Sequence, residues 1–177
     1  MKEIYLAGGC FWGMEEAFRG VPGILSTECG YANGDPHFRP DYMLVCSGRF
    51  GYKEAVKLVY DPGTIPLESI LWAFFELIDP EQGNGQGRDI GVQYHTGVYW
   101  TDADSAETVT RYMEEEAGRY AEFHTEAGPL TFFHPAEDGH QKYLMRNPEG
   151  YCHIPRAQMD AVKLELGVHT DKRRTCP

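Results

Sequence analysis

Basic residues are scarce in this chain of 177 residues. Sixteen Lys and Arg stand against 27 Asp and Glu, leaving a formal charge of −11. So acidic a surface works against binding to phosphate backbones, and no nucleic-acid partner is expected. Long apolar runs are missing too. The run Ile4 to Ala7 is far too short for a signal core or a membrane span, so neither a targeting segment nor a membrane contact is expected. Cysteine is sparse and odd in number, five in all, which does not describe a disulfide-stapled secreted domain. Free thiols in the cytoplasm are the better expectation. No CxxC or HxxxH spacing occurs among these cysteines and the seven histidines, so no metal site is expected. Internal repeats and dividing linkers are also absent. What is present, 42% apolar and 13% aromatic residues, supplies a sizeable core. At ~100–200 residues per domain the chain is one compact unit.

Strands and helices interleave. Ile4 to Ala7 reads as a buried strand, Gly8-Gly9 as a turn, and Met14 to Phe18 as the opening of a helix that ends near Arg19-Gly20. Residues 24–32 form a second strand, 33–41 a turn-rich loop, and Ala55 to Tyr60 an alternating strand. Leu67, Ile70, Leu71, Phe74 and Ile78 recur at helical spacing between Pro66 and Asp79-Pro80. Ala103, Ala106, Val109, Met113 and Ala117 mark a second firm helix, starting near Thr101 and carrying a Glu107–Arg111 pair. A Gly-rich loop, Gln82 to Gly91, leads into an aromatic strand, Val92 to Trp100, and a further strand covers Leu130 to Phe133. A short helical piece near Gln141–Met145, a helix from Arg156 to Leu166 and a charged tail from His169 complete the chain. The pattern implies an α/β or α+β sandwich with its sheet covered mainly by the two longer helices. Of these the α+β fold, a two-layer sandwich with a mixed sheet and a long irregular C-terminal segment, is the expectation.

The sharpest chemical feature is Gly8-Gly9-Cys10-Phe11-Trp12-Gly13. It sets a thiol where a strand turns into a helix, among unpaired amides that would lower its pKa and favour the thiolate. The glycines permit close approach of a substrate to the backbone. Phe11 and Trp12 are large apolar residues at a turn and can wall a small pocket. A buried, inert cysteine is the competing reading of Cys10, and periodicity does not choose among the reactions a thiolate could run.

Gly9-Cys10-Phe11-Trp12-Gly13 resembles the signature of the peptide methionine sulfoxide reductase A family. The likeness continues in order through Gly30 to Gly34, Asp41 to Gly48, Glu54-Ala55-Val56, Tyr60-Asp61-Pro62, Asp79-Pro80, the stretch Asn84 to Tyr94, His140-Gln141-x-Tyr143 and Asn147 to Cys152. It spans residues 4–154. It implies a ferredoxin-like core and a thiol-dependent enzyme, a peptide-methionine (S)-S-oxide reductase, acting on free and protein-bound methionine-S-sulfoxide. It also implies roles. Cys10 attacks the sulfoxide sulfur, Glu54 is the buried acid that protonates its oxygen, and Tyr42 and Tyr94 orient that oxygen. Phe11 and Trp12 hold the S-methyl group, and Asp89 is a further polar residue of the site. Cys152 resolves the sulfenic acid as a disulfide, which thioredoxin reduces. No bound cofactor is implied, and a monomer is expected. The chemistry is consistent with this, because a carboxyl can be kept protonated near neutral pH by apolar burial.

Four positions depart from the family pattern: Tyr52 stands for a usual His, Lys53 adds a cation beside Glu54, and Gly85 and His95 stand for usual arginines. Strand alternation predicts that Lys53 faces away from Glu54. Cys29 and Cys46 read as buried, inert thiols. Cys176, beside Lys172, Arg173 and Arg174, is a candidate second resolving thiol. Residues 1–154 form the catalytic unit, and the helix and tail of 155–177 belong to the same single domain. The reading from another class is a catalytically silent redox-sensing or peptide-binding module that uses the same cysteine pair.

Overall fold

The computed structural model describes residues 1–174, and side chains as far as Gly167. The chain runs through β1 (Lys2–Ala7), α1 (Phe11–Phe18), β2 (Ile24–Ala32), α2 (Tyr42–Cys46), β3 (Lys53–Tyr60) and α3 (Leu67–Leu77). It continues through β4 (Gly85–Gln86), β5 (Asp89–Ile90), β6 (Gly97–Trp100), α4 (Ala103–Ala117), β7 (Glu126–Pro129), β8 (Phe133–Pro135), α5 (Tyr143–Arg146) and α6 (Arg156–Arg174). Six strands form one mixed sheet in the order β7-β6-β1-β3-β2-β8, and β4 and β5 pair separately. Every neighbouring pair in the large sheet is antiparallel except β6 and β7.

The period of two along each strand decides what each face carries. Ile4 and Leu6 of β1 join the main core cluster, while Tyr5 and Ala7 join a small one on the opposite face. Val56, Leu58 and Tyr60 of β3 also face the main core. That core is closed by Phe11, Met14 and Phe18 of α1, Ile70, Leu71 and Phe74 of α3, Val109 and Met113 of α4, and Met159, Val162 and Leu166 of α6. Each such side chain contributes roughly 1.5–3 kcal/mol by leaving water. On the opposite face the buried apolar cluster among the described residues is small: Tyr5, Ala7, Ala32, Ala55 and Tyr99, with Leu130 and Phe133 packed against them. The result is an α+β architecture with its helices on one side. Among the described residues no helix is long and apolar enough to cross a membrane.

Several elements differ from their sequence-based expectation. The helix expected from Met14 begins at Phe11, because Cys10 takes the N-cap position and the Glu54 carboxyl accepts the Phe11 amide. The apolar run Met43 to Cys46 is a turn of helix. Asp41 Oδ1 accepts the Leu44 amide at 2.8 Å and coils it, so that only Val45 is buried. Cys46, expected to be buried, is therefore exposed. Val92 to Tyr94 forms a 3-10 turn closed by Tyr94 N to Gly91 O and His95 N to Val92 O, and the strand starts only at Gly97. Leu130 to Phe132 is the passage between β7 and β8, pinned by Asn33 Oδ1, which accepts from the Thr131 and Phe132 amides. Asp102 caps α4 in place of Thr101, and Arg111 pairs across to Glu68 of α3 rather than with Glu107. The terminal helix runs to Arg174, through most of the expected tail.

Candidate active site

β1 delivers the backbone into α1 through Gly9, whose φ of +78° suits glycine. Cys10 follows as the N-cap and is 7% exposed. Glu54 comes from β3. It shares the phase of Val56 and Leu58, and this alternation sends its carboxyl into the main core, where it is 2% exposed. Lys53, on the opposite phase, pairs with Glu126 at 3.3 Å and faces away from the carboxyl, as alternation predicts. Glu54 Oε2 accepts the first amide of α1, from Phe11, at 3.1 Å.

Burial pushes the Glu54 pKa up to about 8, with the charge of Asp89 adding and the Phe11 amide opposing. Burial also raises the Cys10 thiol well above its ordinary range, and the Glu54 charge adds to it; the Trp12 amide lowers it but does not prevail. The helix terminus therefore does not make a resting thiolate. An eight-residue helix offers one useful amide here, and desolvation of the charged sulfur outweighs it.

Phe11 and Trp12 stand on the first turn of α1. Trp12 stacks on Tyr143 with ring centres 3.8 Å apart, and its indole N–H donates to His140 Nδ1 at 3.2 Å. The His140 ring packs in turn against Phe11 and Tyr42. Tyr42 opens α2, where its amide donates to Glu137 Oε1 at 2.8 Å, while Tyr31 donates to Glu137 Oε2 at 2.7 Å. Burial raises the Tyr42 phenol to about 12 and the Tyr94 phenol further, so both keep their protons at neutral pH.

Together Cys10, Phe11, Trp12, Tyr42, Glu54, Asp89, Tyr94 and Tyr151 line a cavity of about 200 Å³. Its volume suits a small methyl-bearing polar group. A larger hollow of about 450 Å³, between residues 39–41 and 134–137, contains neither a cysteine nor a buried carboxyl. All seven nucleophile, acid and wall positions expected from the sequence thus meet in one cavity. Of the departures, Tyr52 is buried and donates to the carbonyls of Asp35 and Phe38, bracing the 33–41 loop. Gly85 opens β4 and His95 ends the 3-10 turn, and neither lines the cavity.

Cys152 is half-buried, and its sulfur accepts the Ile154 amide at 3.3 Å. The sulfur lies against Gly13, where a Cβ would collide with it. The Cys152 charge is among those that raise the Cys10 thiol, so the two sulfurs are neighbours across Gly13. Gly13 makes room for this sulfur rather than for a substrate. Cys29 is buried and its thiol donates to Glu15 Oε2 at 3.3 Å. Cys176 lies outside the described residues. Among those residues, no three His, Cys, Asp or Glu side chains gather as a metal site.

His140, in a block that resembles the family and expected to pack behind the site, does so by holding the Trp12 indole. Sequence reasoning misses Tyr151, which enters the cavity wall from the loop of Cys152, and His153, which lies beside Asp89 outside the cavity lining. Their nearest sequence signal is the block around Cys152.

Residues 2–170 match the family model described as peptide methionine sulfoxide reductase. The chain is 44% identical over 163 residues to the peptide methionine sulfoxide reductase MsrA of Lachnoclostridium phytofermentans, covering 92% of this chain and 98% of that one. Among solved structures it is similar to reduced Mxr1 from Saccharomyces cerevisiae, with a TM-score of 0.81, 34% identity and coverage of 85% and 88%. It is equally similar to methionine sulfoxide reductase A of Corynebacterium diphtheriae, with a TM-score of 0.81, 33% identity and coverage of 88% and 83%. Mxr1 solved in complex with Trx2 has the same fold, at a TM-score of 0.56, 23% identity and coverage of 80% and 84%. Sequence blocks, fold and family model agree, and the chain belongs to the peptide methionine sulfoxide reductase family.

Proposed function

We propose that this chain reduces methionine-S-sulfoxide, free and within proteins, with Cys10 as nucleophile and Glu54 as acid. One observation carries these roles: a single small cavity collects a buried thiol, a buried carboxyl of raised pKa and two phenols that hold their protons. Sulfoxide oxygen leaves sulfur poorly unless it gains a proton, so the thiol needs an acid beside it. The resting site keeps both protons that the transfer handles. As the Cys10 sulfur bonds to the sulfoxide sulfur, Glu54 gives its proton to the oxygen and its carboxylate takes up the thiol proton. The hydroxyl then passes to the Cys10 sulfur as its bond to the substrate sulfur and the transient bond between the two sulfurs both break. This leaves sulfenic acid on Cys10 and a methionine sulfur two electrons richer. Tyr42 and Tyr94 donate to the same oxygen, Phe11 and Trp12 hold the methyl group, and Asp89 bounds the polar side.

Cys152 then attacks the Cys10 sulfur, water departs and a disulfide remains. Its reduction needs dithiol exchange, for which thioredoxin is the proposed reductant. The electrons come from thiols throughout, so the scheme needs no resident cofactor. A nucleophile, an acid and a second thiol, all in place, argue against a silent module. A cytoplasmic location suits a site whose thiols must be returned to the reduced state. The inner strand order β6-β1-β3-β2, with α1 and α3 as the crossing helices, supports a ferredoxin-like core. Packing of α6 on α1 and α3 supports one domain in which residues 155–177 complete the catalytic unit of 1–154.

The test is incubation with dithiothreitol and the separate S and R epimers of a methionine sulfoxide substrate. The expected result is reduction of the S epimer alone. Reduction of neither epimer, or of both equally, would overturn the reading.

A further inference from the structure

Three buried side-chain atoms among the described residues lack a well-formed hydrogen bond: Asp89 Oδ2 and both ring nitrogens of His153. All three lie in one place. His153 Nδ1 is 3.5 Å from Asp89 Oδ2, and the two side chains are 6% and 15% exposed. The opposite edge of the imidazole, Cε1 and Nε2, rests on Gly9, where a Cβ would come within 2.7 Å of either atom. His153 is thus wedged between the residue preceding the nucleophile and a carboxylate of the cavity wall. That carboxylate has a second hold, because Asp89 Oδ1 accepts the Tyr151 hydroxyl at 2.9 Å. Tyr151 and His153 are the two chain neighbours of Cys152, so one carboxylate reaches the resolving loop on both sides of its sulfur.

The two contacts differ in kind. Tyr151 makes a full hydrogen bond on the side of the cavity, whereas His153 stands 3.5 Å from the carboxylate, a slack contact on the side of the nucleophile. A slack contact suits a segment whose sulfur must still travel, since a disulfide requires sulfurs about 2.05 Å apart. The family reading gives no work to His153, whose remaining polar neighbour is the Gly8 backbone, on the turn that leads to Cys10.

We propose that His153, held by Asp89 on one edge and Gly9 on the other, is a positioning residue for the resolving step. It sets the 151–153 segment so that the Cys152 sulfur faces the sulfur of Cys10. This rests on the reading of Cys10 as nucleophile and Cys152 as resolver. In that step the Cys152 sulfur bonds to the Cys10 sulfur and the S–O bond of the sulfenic acid breaks. The thiol proton joins the departing hydroxyl as water, with no outside oxidant.

The test uses the intact chain, the S epimer and no reductant, and follows two clocks: methionine release, and conversion of trappable sulfenic acid to disulfide. In His153→Leu, methionine release is expected within about twofold of the unsubstituted chain, while disulfide formation slows on the order of tenfold to a hundredfold. Sulfenic acid then accumulates on Cys10. His153→Asn, whose amide N–H can stand where Nδ1–H stood, is expected to recover most of the rate. Thermal melting of both variants checks that the fold is kept. Disulfide formation in His153→Leu within twofold of the parent would overturn the proposal. So would equal slowing by Leu and Asn, or equal slowing of both clocks. If the parent chain itself releases no methionine, or releases it and forms no Cys10–Cys152 disulfide, the underlying reading falls and the proposal with it.

Discussion

Glu54 shows how one side chain combines fold and chemistry. Its carboxyl is ordinarily half-ionised at 4.5, but here the value is about 8, chiefly because the core strips water from it. The folded chain therefore holds this proton more tightly than the unfolded chain. Below about pH 4.5 both states are protonated and the group is neutral toward stability. Between about pH 4.5 and 8 the folded state keeps a proton that the unfolded state has lost, so this contribution to stability falls as pH rises, then levels off. Its full size is about 4–5 kcal/mol as an upper limit. Glu54→Gln removes the titration and keeps the shape. The melting-temperature advantage of Glu54→Gln over the parent is expected to widen from about pH 5 to about pH 8. Methionine formation in that variant is expected to fall by on the order of 10²–10⁴-fold, with loss of the alkaline limb near the carboxyl pKa. An advantage that is constant with pH would mean that Glu54 is ionised in the folded chain.

At the level of elements, the site depends on where strands and helices start. β1 ends at Ala7 and α1 starts at Phe11, and the three residues between them carry Cys10. β3 supplies Glu54 by phase, β5 supplies Asp89, a 3-10 turn supplies Tyr94, and a single helical turn supplies Tyr42. Period-two and helical spacing made β1, β2, β3, α3 and α4 readable from the sequence, and with them the direction of Glu54 and Lys53. The short pieces were not readable, because α2 and the 3-10 turn are held by contacts of Asp41, Glu137 and Gly91 that no period announces. Cys46 was misjudged for that reason. The resting thiol of Cys10 was misjudged for another: a helix end is visible in sequence, but the depth of burial that outweighs it is not. Gly13 belongs to this scale as well. Gly13→Ala keeps a good helix former, yet its Cβ enters the space of the Cys152 sulfur and approaches Ile154 Cδ1 to 3.1 Å. The expected outcome is a slower Cys10–Cys152 disulfide with methionine release little changed, read by thiol titration after a single turnover. A disulfide rate equal to that of the parent would show that the second thiol does not wait at Gly13.

Across the molecule, helices gather on one face of the sheet and the site opens where β1, β3 and the connections of the C-terminal half converge. Residues far apart in sequence meet there: Glu54 is 43 positions from Phe11, and His140 is 128 from Trp12. Such pairings explain why Cys10, Glu54, Cys152 and His140 could be named from sequence blocks while the support from Tyr151 and His153 could not. The central claim is that Cys10 takes oxygen from methionine-S-sulfoxide with Glu54 as the acid. It is tested most directly by treating intact Cys152→Ser chain with the S epimer in the absence of reductant, then measuring methionine and mapping the modified residue by mass spectrometry. One methionine released per chain and one oxygen added at Cys10 are expected, with the R epimer giving neither. Release of no methionine, oxygen found on another residue, or equal reaction of the two epimers would contradict it.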